Sequence, residues 1–93
     1  MNIDMNQAVF TTKYVLENHS PIIYVSHDVD GDWQFFGQED DLSEEDARII
    51  SLGEILKITP SLKEILWIPE GMQAWLNAET KEWQTSLSKN ARP

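Results

Sequence analysis

Cysteine is absent from this chain of 93 residues. Disulfide bonds, cysteine-ligated zinc sites and thiol nucleophiles are therefore excluded, and the compartment that we expect is a reducing cytoplasm. Without cross-links the fold must be stabilised by its apolar core, and a chain this short has only a small margin of stability. Four Trp, three Phe and two Tyr residues supply much of that core, because each aromatic ring buries a large area.

Basic residues are scarce. Seven Lys and Arg stand against 16 Asp and Glu, which gives a formal net charge of -9. We therefore expect no nucleic-acid partner, because phosphate binding needs the opposite charge. The excess of acid is concentrated in residues 28–46, which contain no Lys or Arg but include Asp28, Asp30, Asp32, Glu39, Asp40, Asp41, Glu44, Glu45 and Asp46. This stretch predicts either a solvated loop and helix start or a docking face for a basic partner.

Long apolar runs are also missing. No run approaches the roughly 18 residues of a membrane-spanning helix, and the first residues lack the basic start of a signal peptide, so we expect no membrane association. With 41% apolar and 25% charged residues, the composition is that of an ordinary globular protein. We expect one small domain over residues 1–93, ordered from about residue 8 to about residue 85 with frayed ends.

The first half of the chain predicts strands. Residues 8–15 are rich in β-branched and aromatic side chains, and residues 22–26 form an apolar run with the length of a strand. Asp30 and Gly31 form a common hairpin signal, so residues 33–36 are interpreted as the returning strand. Together these segments predict a three-stranded antiparallel meander.

The second half contains a short internal repeat. Segments 51–60 and 61–70 agree at six of ten positions, and each has a Ser followed three residues later by a Glu, the pattern of a helix capping box. Each copy also has an apolar triplet at helical spacing, and Pro60 and Pro69 interrupt any continuous helix. We therefore expect two short helices that pack on one face of the sheet.

Two segments remain open between helix and strand. Residues 43–46 predict a helix start, which residues 47–50 could extend or replace with a strand. Residues 71–85 fit either a helix or a C-terminal hairpin, and we favour the hairpin. The fold class is thus α+β, with an antiparallel β-meander, two short helices packed on one face and a C-terminal hairpin.

The apolar pattern also assigns the core. The core candidates are Val9, Ile23, Val25, Trp33, Phe35, Leu52, Ile55, Leu56, Leu62, Ile65 and Leu66. We expect Trp67 in the core as well. If residues 71–85 form a hairpin, Trp75 and Trp83 are expected on the face opposite Met72, Ala74 and Leu76, as a cross-strand aromatic pair and a candidate binding patch.

The acidic residues after His27 suggest metal chemistry at first sight. Carboxylates at positions 28, 30, 32 and 39 match positions 1, 3, 5 and 12 of an EF-hand calcium loop. That loop requires Gly at its sixth position, however, where this chain has Trp33, and the flanks predict strands instead of helices. We interpret the segment as a hairpin turn in which Asp side chains bond to their own backbone.

An alternative is a small metal-dependent or His/Asp enzyme that uses His27 with Asp28, Asp30 and Asp32. No Ser or Cys nucleophile motif and no paired-His metal spacing accompanies His27. The hypothesis that we prefer therefore has no catalytic residues, no metal and no cofactor.

Three segments carry a resemblance to a known family. Residues 21–28 (PIIYVSHD), 30–36 (DGDWQFF) and 51–56 (SLGEIL) resemble small bacterial proteins of the immunity-protein-33-like family. The resemblance implies a binding protein of a bacterial toxin system and carries no catalytic residues. The acid-rich residues 28–46 fit a toxin-neutralising role.

The leading functional hypothesis is a non-catalytic, protein-binding domain of the bacterial cytoplasm that binds a basic protein partner. Its acidic face would contain Asp40, Asp41, Glu44 and Glu45. Trp75 and Trp83 would serve as apolar anchors. Besides the enzyme, the other alternative is a self-associating accessory protein, or homo-oligomer, with no separate partner.

Overall fold

The computed structural model describes residues 4–39 and 41–87. Six strands form one sheet: β1 (Ala8–Thr12), β2 (Tyr24–His27), β3 (Trp33–Phe36), β4 (Ala47–Ser51), β5 (Met72–Leu76) and β6 (Trp83–Leu87). The helices are α1 (Lys13–Glu17) and α2 (Leu52–Ile58), and two 3₁₀ segments cover Glu44–Asp46 and Pro60–Ile65. None of the helices in the described ranges is long and apolar enough to cross a membrane.

The strands are ordered β4-β1-β3-β2-β5-β6, and all neighbours are antiparallel except β1 and β3. The predicted α+β class and the C-terminal hairpin are confirmed, and residues 47–50 form a strand. The predicted meander is wrong for the first strand: β1 does not pair with β2 but lies between β4, to which it is antiparallel, and β3, to which it is parallel.

The first strand has a different partner because it ends early. Thr12 is the N-cap of α1, and its side chain accepts a hydrogen bond from the Val15 N–H at 3.3 Å. The chain therefore turns into a helix at Lys13 instead of continuing as a strand to Val15. The helix and the residues after it leave room for one strand between β1 and β2. The β2–β3 hairpin then returns β3 into that position, where it runs parallel to β1.

The β2–β3 hairpin forms as predicted. Gly31 lies in its turn with a φ of 91°, a left-handed conformation that glycine adopts without strain. The turn brings β2 and β3 into a register in which Val25 pairs with Phe35 and Tyr24 with Phe36.

The two copies of the repeat fold differently. In the first, Ser51 caps α2, since its Oγ accepts from the Glu54 N–H at 3.2 Å and donates to Glu54 Oε1 at 3.3 Å. The second copy is a 3₁₀ segment with Thr59 at its N-cap and Pro60 at its start, so the predicted second capping box is wrong. Ser61 lies inside that segment, and its Oγ accepts a hydrogen bond from Trp83 Nε1 at 3.3 Å.

The core lies between the sheet and these helical segments. Both apolar triplets of the repeat are buried there, and the core candidates are confirmed except Ile23. Ile22 is buried in its place, because β2 begins only at Tyr24 and the preceding residues do not follow strand alternation. The prediction for Trp67 is also wrong: this side chain is 60% exposed, and its neighbours Leu66 and Ile68 are buried instead.

Candidate functional site

The helix α2 and the 3₁₀ segment Pro60–Ile65 pack on one face of the sheet, and we call the other its outer face. Along β3, Trp33 and Phe35 are buried in the core, so Gln34 and Phe36 point to the outer face. The strand registers extend this assignment across the sheet. Together with those two, the outer-face side chains include Phe10, Tyr24, Ser26, Ile49, Gln73, Trp75, Gln84 and Ser86. None of these side chains is charged, although 25% of the chain's residues are.

Three aromatic residues lie side by side on this face. Tyr24 is directly opposite Phe36 on one neighbouring strand and Trp75 on the other. The Tyr24 and Phe36 ring centroids are 5.8 Å apart. We call Trp75, Tyr24 and Phe36 the aromatic row; Trp75 is 36% exposed and the other two are half-buried.

Hydrogen bonds orient the central ring of the aromatic row. The Tyr24 hydroxyl donates to Gln73 Oε1 at 2.6 Å, and Gln73 Nε2 donates to Ser86 Oγ at 3.3 Å. Burial raises the pKa of Tyr24 above its usual value of 10.0, so the hydroxyl stays protonated and remains a donor. These bonds tie β2, β5 and β6 together on the outer face.

Between β3 and β4 lies the segment that carries most of the predicted acidic site. Asp41, Glu44 and Glu45 are exposed there, and we call these three residues the acidic segment. Asp40, the fourth predicted residue, lies outside the described residues. Glu39 is not counted in the acidic segment, because its carboxylate is bound within the protein: Oε2 accepts a hydrogen bond from Ser20 Oγ at 2.7 Å.

Asp46 attaches this loop to the fold. It is buried, its Oδ2 accepts from the Ser43 N–H at 3.0 Å, and its Oδ1 lies 3.3 Å from Lys13 Nζ. The hydrogen bond from the Ser43 backbone, aided by the Lys13 ammonium, lowers the pKa of Asp46. The carboxylate is therefore ionised at neutral pH, and both of its oxygens interact with groups of the protein itself, Ser43 and Lys13.

The acidic segment and the aromatic row occupy the same end of the sheet. Phe36 is the last residue of β3, and the loop to β4 starts just beyond it. A cavity of about 180 Å³ lies where this loop meets the outer face, and its lining includes Phe10, Phe36, Leu42 and Asp46. Trp75 belongs to this end through its pairing with Tyr24. The structure thus places Asp41, Glu44, Glu45 and Trp75 at the same end of the sheet.

Trp83 does not join them. In the β5–β6 register Leu76 pairs with Trp83, whereas Trp75 pairs with Gln84. Trp83 therefore points to the helical side, where it packs against the core and donates to Ser61. The predicted Trp75–Trp83 cross-strand pair is therefore wrong. In this hairpin, residues that pair are separated by an odd number of positions along the chain, whereas the two tryptophans are separated by an even number and so lie on opposite faces.

The acid-rich stretch is also divided in space. Asp28, Asp30 and Asp32 lie in the β2–β3 turn, at the end of β3 opposite the acidic segment. Asp28 Oδ1 accepts from the backbone N–H groups of Asp30 at 3.0 Å and Asp32 at 3.1 Å, which confirms the interpretation as a self-bonded turn.

Beside this turn, the side chain of His27 contacts two core residues, Ile68 and Trp33. Its Nδ1 donates to the Ile68 carbonyl at 2.8 Å, and its ring stacks on Trp33 with centroids 3.9 Å apart. Within residues 4–39 and 41–87, no three His, Asp or Glu side chains are grouped so that they could hold a metal ion.

Sequence reasoning missed Tyr24, Phe36 and Gln73. Their signal was the lack of charge at alternate positions of four strands, 24 and 26, 34 and 36, 73 and 75, and 84 and 86. That signal has meaning only when strand order and register place these positions on one uncovered face. Comparison with protein-family models, curated proteins and solved structures finds no match to this chain.

Proposed function

We propose that the protein is a non-catalytic binding domain that captures a basic protein through its acidic segment. The observation that carries the proposal is the exposure of Asp41, Glu44 and Glu45 at the same end of the sheet as the uncharged aromatic row. Such a cluster steers a basic partner by its field and discriminates against acidic ones. The resemblance to the immunity-protein-33-like family supports a toxin-neutralising form of this function in the bacterial cytoplasm.

The distribution of ion pairs supports the same proposal. Among the described residues the ion pairs join Lys13 to Asp46 and Arg48 to Glu17. Neither cation forms an ion pair with a carboxylate of the acidic segment, although Arg48 donates to the backbone carbonyl of Glu45 at 2.9 Å. Two further cations, Lys57 and Lys63, border a cavity in the helical layer instead. In the part of the chain that the structure describes, the carboxylates of Asp41, Glu44 and Glu45 are therefore not ion-paired.

The test compares two charge reversals of equal size. Asp41→Lys with Glu44→Lys changes the acidic segment, and Asp30→Lys with Asp32→Lys makes the same change at the opposite end of the sheet. Proteins retained from host lysate at low salt are identified by mass spectrometry, and the affinity of each purified candidate is then measured for both variants.

We expect a basic protein whose binding weakens at high salt and is lost in the first variant but largely kept in the second. Equal affinity for both variants and the unaltered protein would contradict the proposal. An equal loss in both variants would show that net charge, and not the acidic segment, governs binding.

A further inference from the structure

The outer face has the composition of the centre of a protein interface. Such centres are depleted in charged residues and enriched in Tyr, Trp and Phe. The outer face combines the aromatic row with Phe10, Ile49 and uncharged Gln and Ser side chains. The β3–β4 loop reaches the aromatic row at Phe36, where Leu42 and Asp46 line the same cavity. Trp75 is 36% exposed, and Ile49 is 63% exposed at the far side of the face.

We infer that the outer face is a docking surface for a basic protein segment with apolar side chains, which lies across the aromatic row with its Lys or Arg residues beside the acidic segment. The inference rests on the proposed function and adds the apolar half of the recognition. The acidic segment steers the partner, and the outer face holds it.

Charge complementarity selects this occupant over a second copy of the chain. Each copy would bring a formal charge of -9 and its own acidic segment to the contact. Like charges brought together at an interface oppose association, whereas Lys and Arg next to the acidic segment favour it.

The cavity size selects a protein side chain over a small molecule. Its volume of about 180 Å³ is below the roughly 300–1,000 Å³ of typical small-molecule sites. Phe10, Phe36 and Leu42 supply apolar walls, and the buried Asp46 also contributes to the lining. A long basic side chain suits this cavity, because its methylene groups would contact the rings while its charged head stays beside the exposed carboxylates of the acidic segment.

The test uses three short synthetic peptides as probes. The first alternates Lys and Leu, the second has Ser in place of each Leu, and the third has Glu in place of each Lys. NMR titration of the isotope-labelled protein measures affinity and locates each peptide. We expect the Lys-Leu peptide to bind about tenfold more tightly than the Lys-Ser peptide and to shift the resonances of Tyr24, Phe36 and Trp75.

Matched variants distinguish binding at the outer face from nonspecific binding to exposed apolar side chains elsewhere. Trp75→Ser should remove most of the tenfold preference and leave Lys-Ser binding intact. Trp67→Ser, which removes an exposed tryptophan from the helical layer, should change neither the tenfold preference for the Lys-Leu peptide nor the binding of the Lys-Ser peptide. Ile49→Lys and its control Val29→Lys provide a second pair at exposed side chains, in case Trp75→Ser reduces folding.

Four results would overturn the inference. Equal binding of both basic peptides, unchanged by Trp75→Ser, would remove the outer face from recognition while leaving the proposed function standing. Resonance shifts confined to the helical layer would do the same. A dimer in sedimentation velocity that Trp75→Ser dissociates would make a second copy the occupant. If neither basic peptide binds better than the Glu-Leu peptide, the proposed function fails together with the inference.

Discussion

At the scale of single residues, adjacent carboxylates differ in whether they interact within the fold or face solvent. Asp46 satisfies the Ser43 N–H and pairs with Lys13, so its charge is used inside the fold. Glu44 and Glu45, directly before it, are exposed. The difference follows from the 3₁₀ turn, which directs its third side chain back to the cap residue.

The pH dependence of stability should therefore depend on Asp46. A group whose pKa is lowered by folding stabilises the protein above its unfolded value, here 3.8, and that contribution is lost as the pH falls through the folded-state pKa. We expect Asp46→Asn to lower the free energy of unfolding at neutral pH and to match the unaltered protein well below pH 3.8. Urea denaturation across this range measures the effect. Glu44→Gln is the control for an exposed carboxylate, and an equal loss in both variants would contradict the assignment.

Neighbouring phenylalanines should also differ in their contribution to stability. Phe35 is fully buried, and Phe36 is half-buried on the outer face. We expect Phe35→Ala to cost about 3–5 kcal/mol and Phe36→Ala about 1–2 kcal/mol. Chemical denaturation compares the two variants. Equal costs would mean that the outer face is covered in solution.

At the scale of elements, the repeat shows that similar segments need not form similar structures. Both copies bury their apolar triplets, because helical spacing alone places those side chains on one side. Their starts differ because Pro60 begins the second segment before Ser61 can act as its cap. The apolar pattern was therefore predictable from the sequence, and the second cap was not.

Removing the two serines tests this difference. Ser51→Ala should cost about 1 kcal/mol, since it deletes the N-cap of α2. Ser61→Ala should cost less, because it removes one hydrogen bond at 3.3 Å between exposed groups. The urea midpoints of unfolding measure the loss of stability in each variant. A larger loss for Ser61→Ala would show that the second segment depends on that contact.

At the scale of the whole molecule, the net charge of -9 acts against compactness. Self-repulsion among carboxylates weakens when salt screens it, so we expect the melting temperature to rise with NaCl from about 10 to about 150 mM. Asp30→Lys with Asp32→Lys should reduce this dependence by lowering the negative charge. A melting temperature that is flat or falling over this range would contradict the expectation.

The sequence by itself determined the α+β class, nearly all of the core and the α2 cap, because apolar periodicity and capping patterns act over a few residues. It also identified the exposed acids of the acidic segment, since charge density needs no fold. Only the tertiary structure decided that Thr12 ends β1, that Trp75 and Trp83 lie on opposite faces, and that Trp75 joins Tyr24 and Phe36. These outcomes depend on strand order and register, which are set by contacts between residues far apart in the chain. A one-residue change in register would have exchanged the core and outer faces of β6, and no local pattern of residues specifies it.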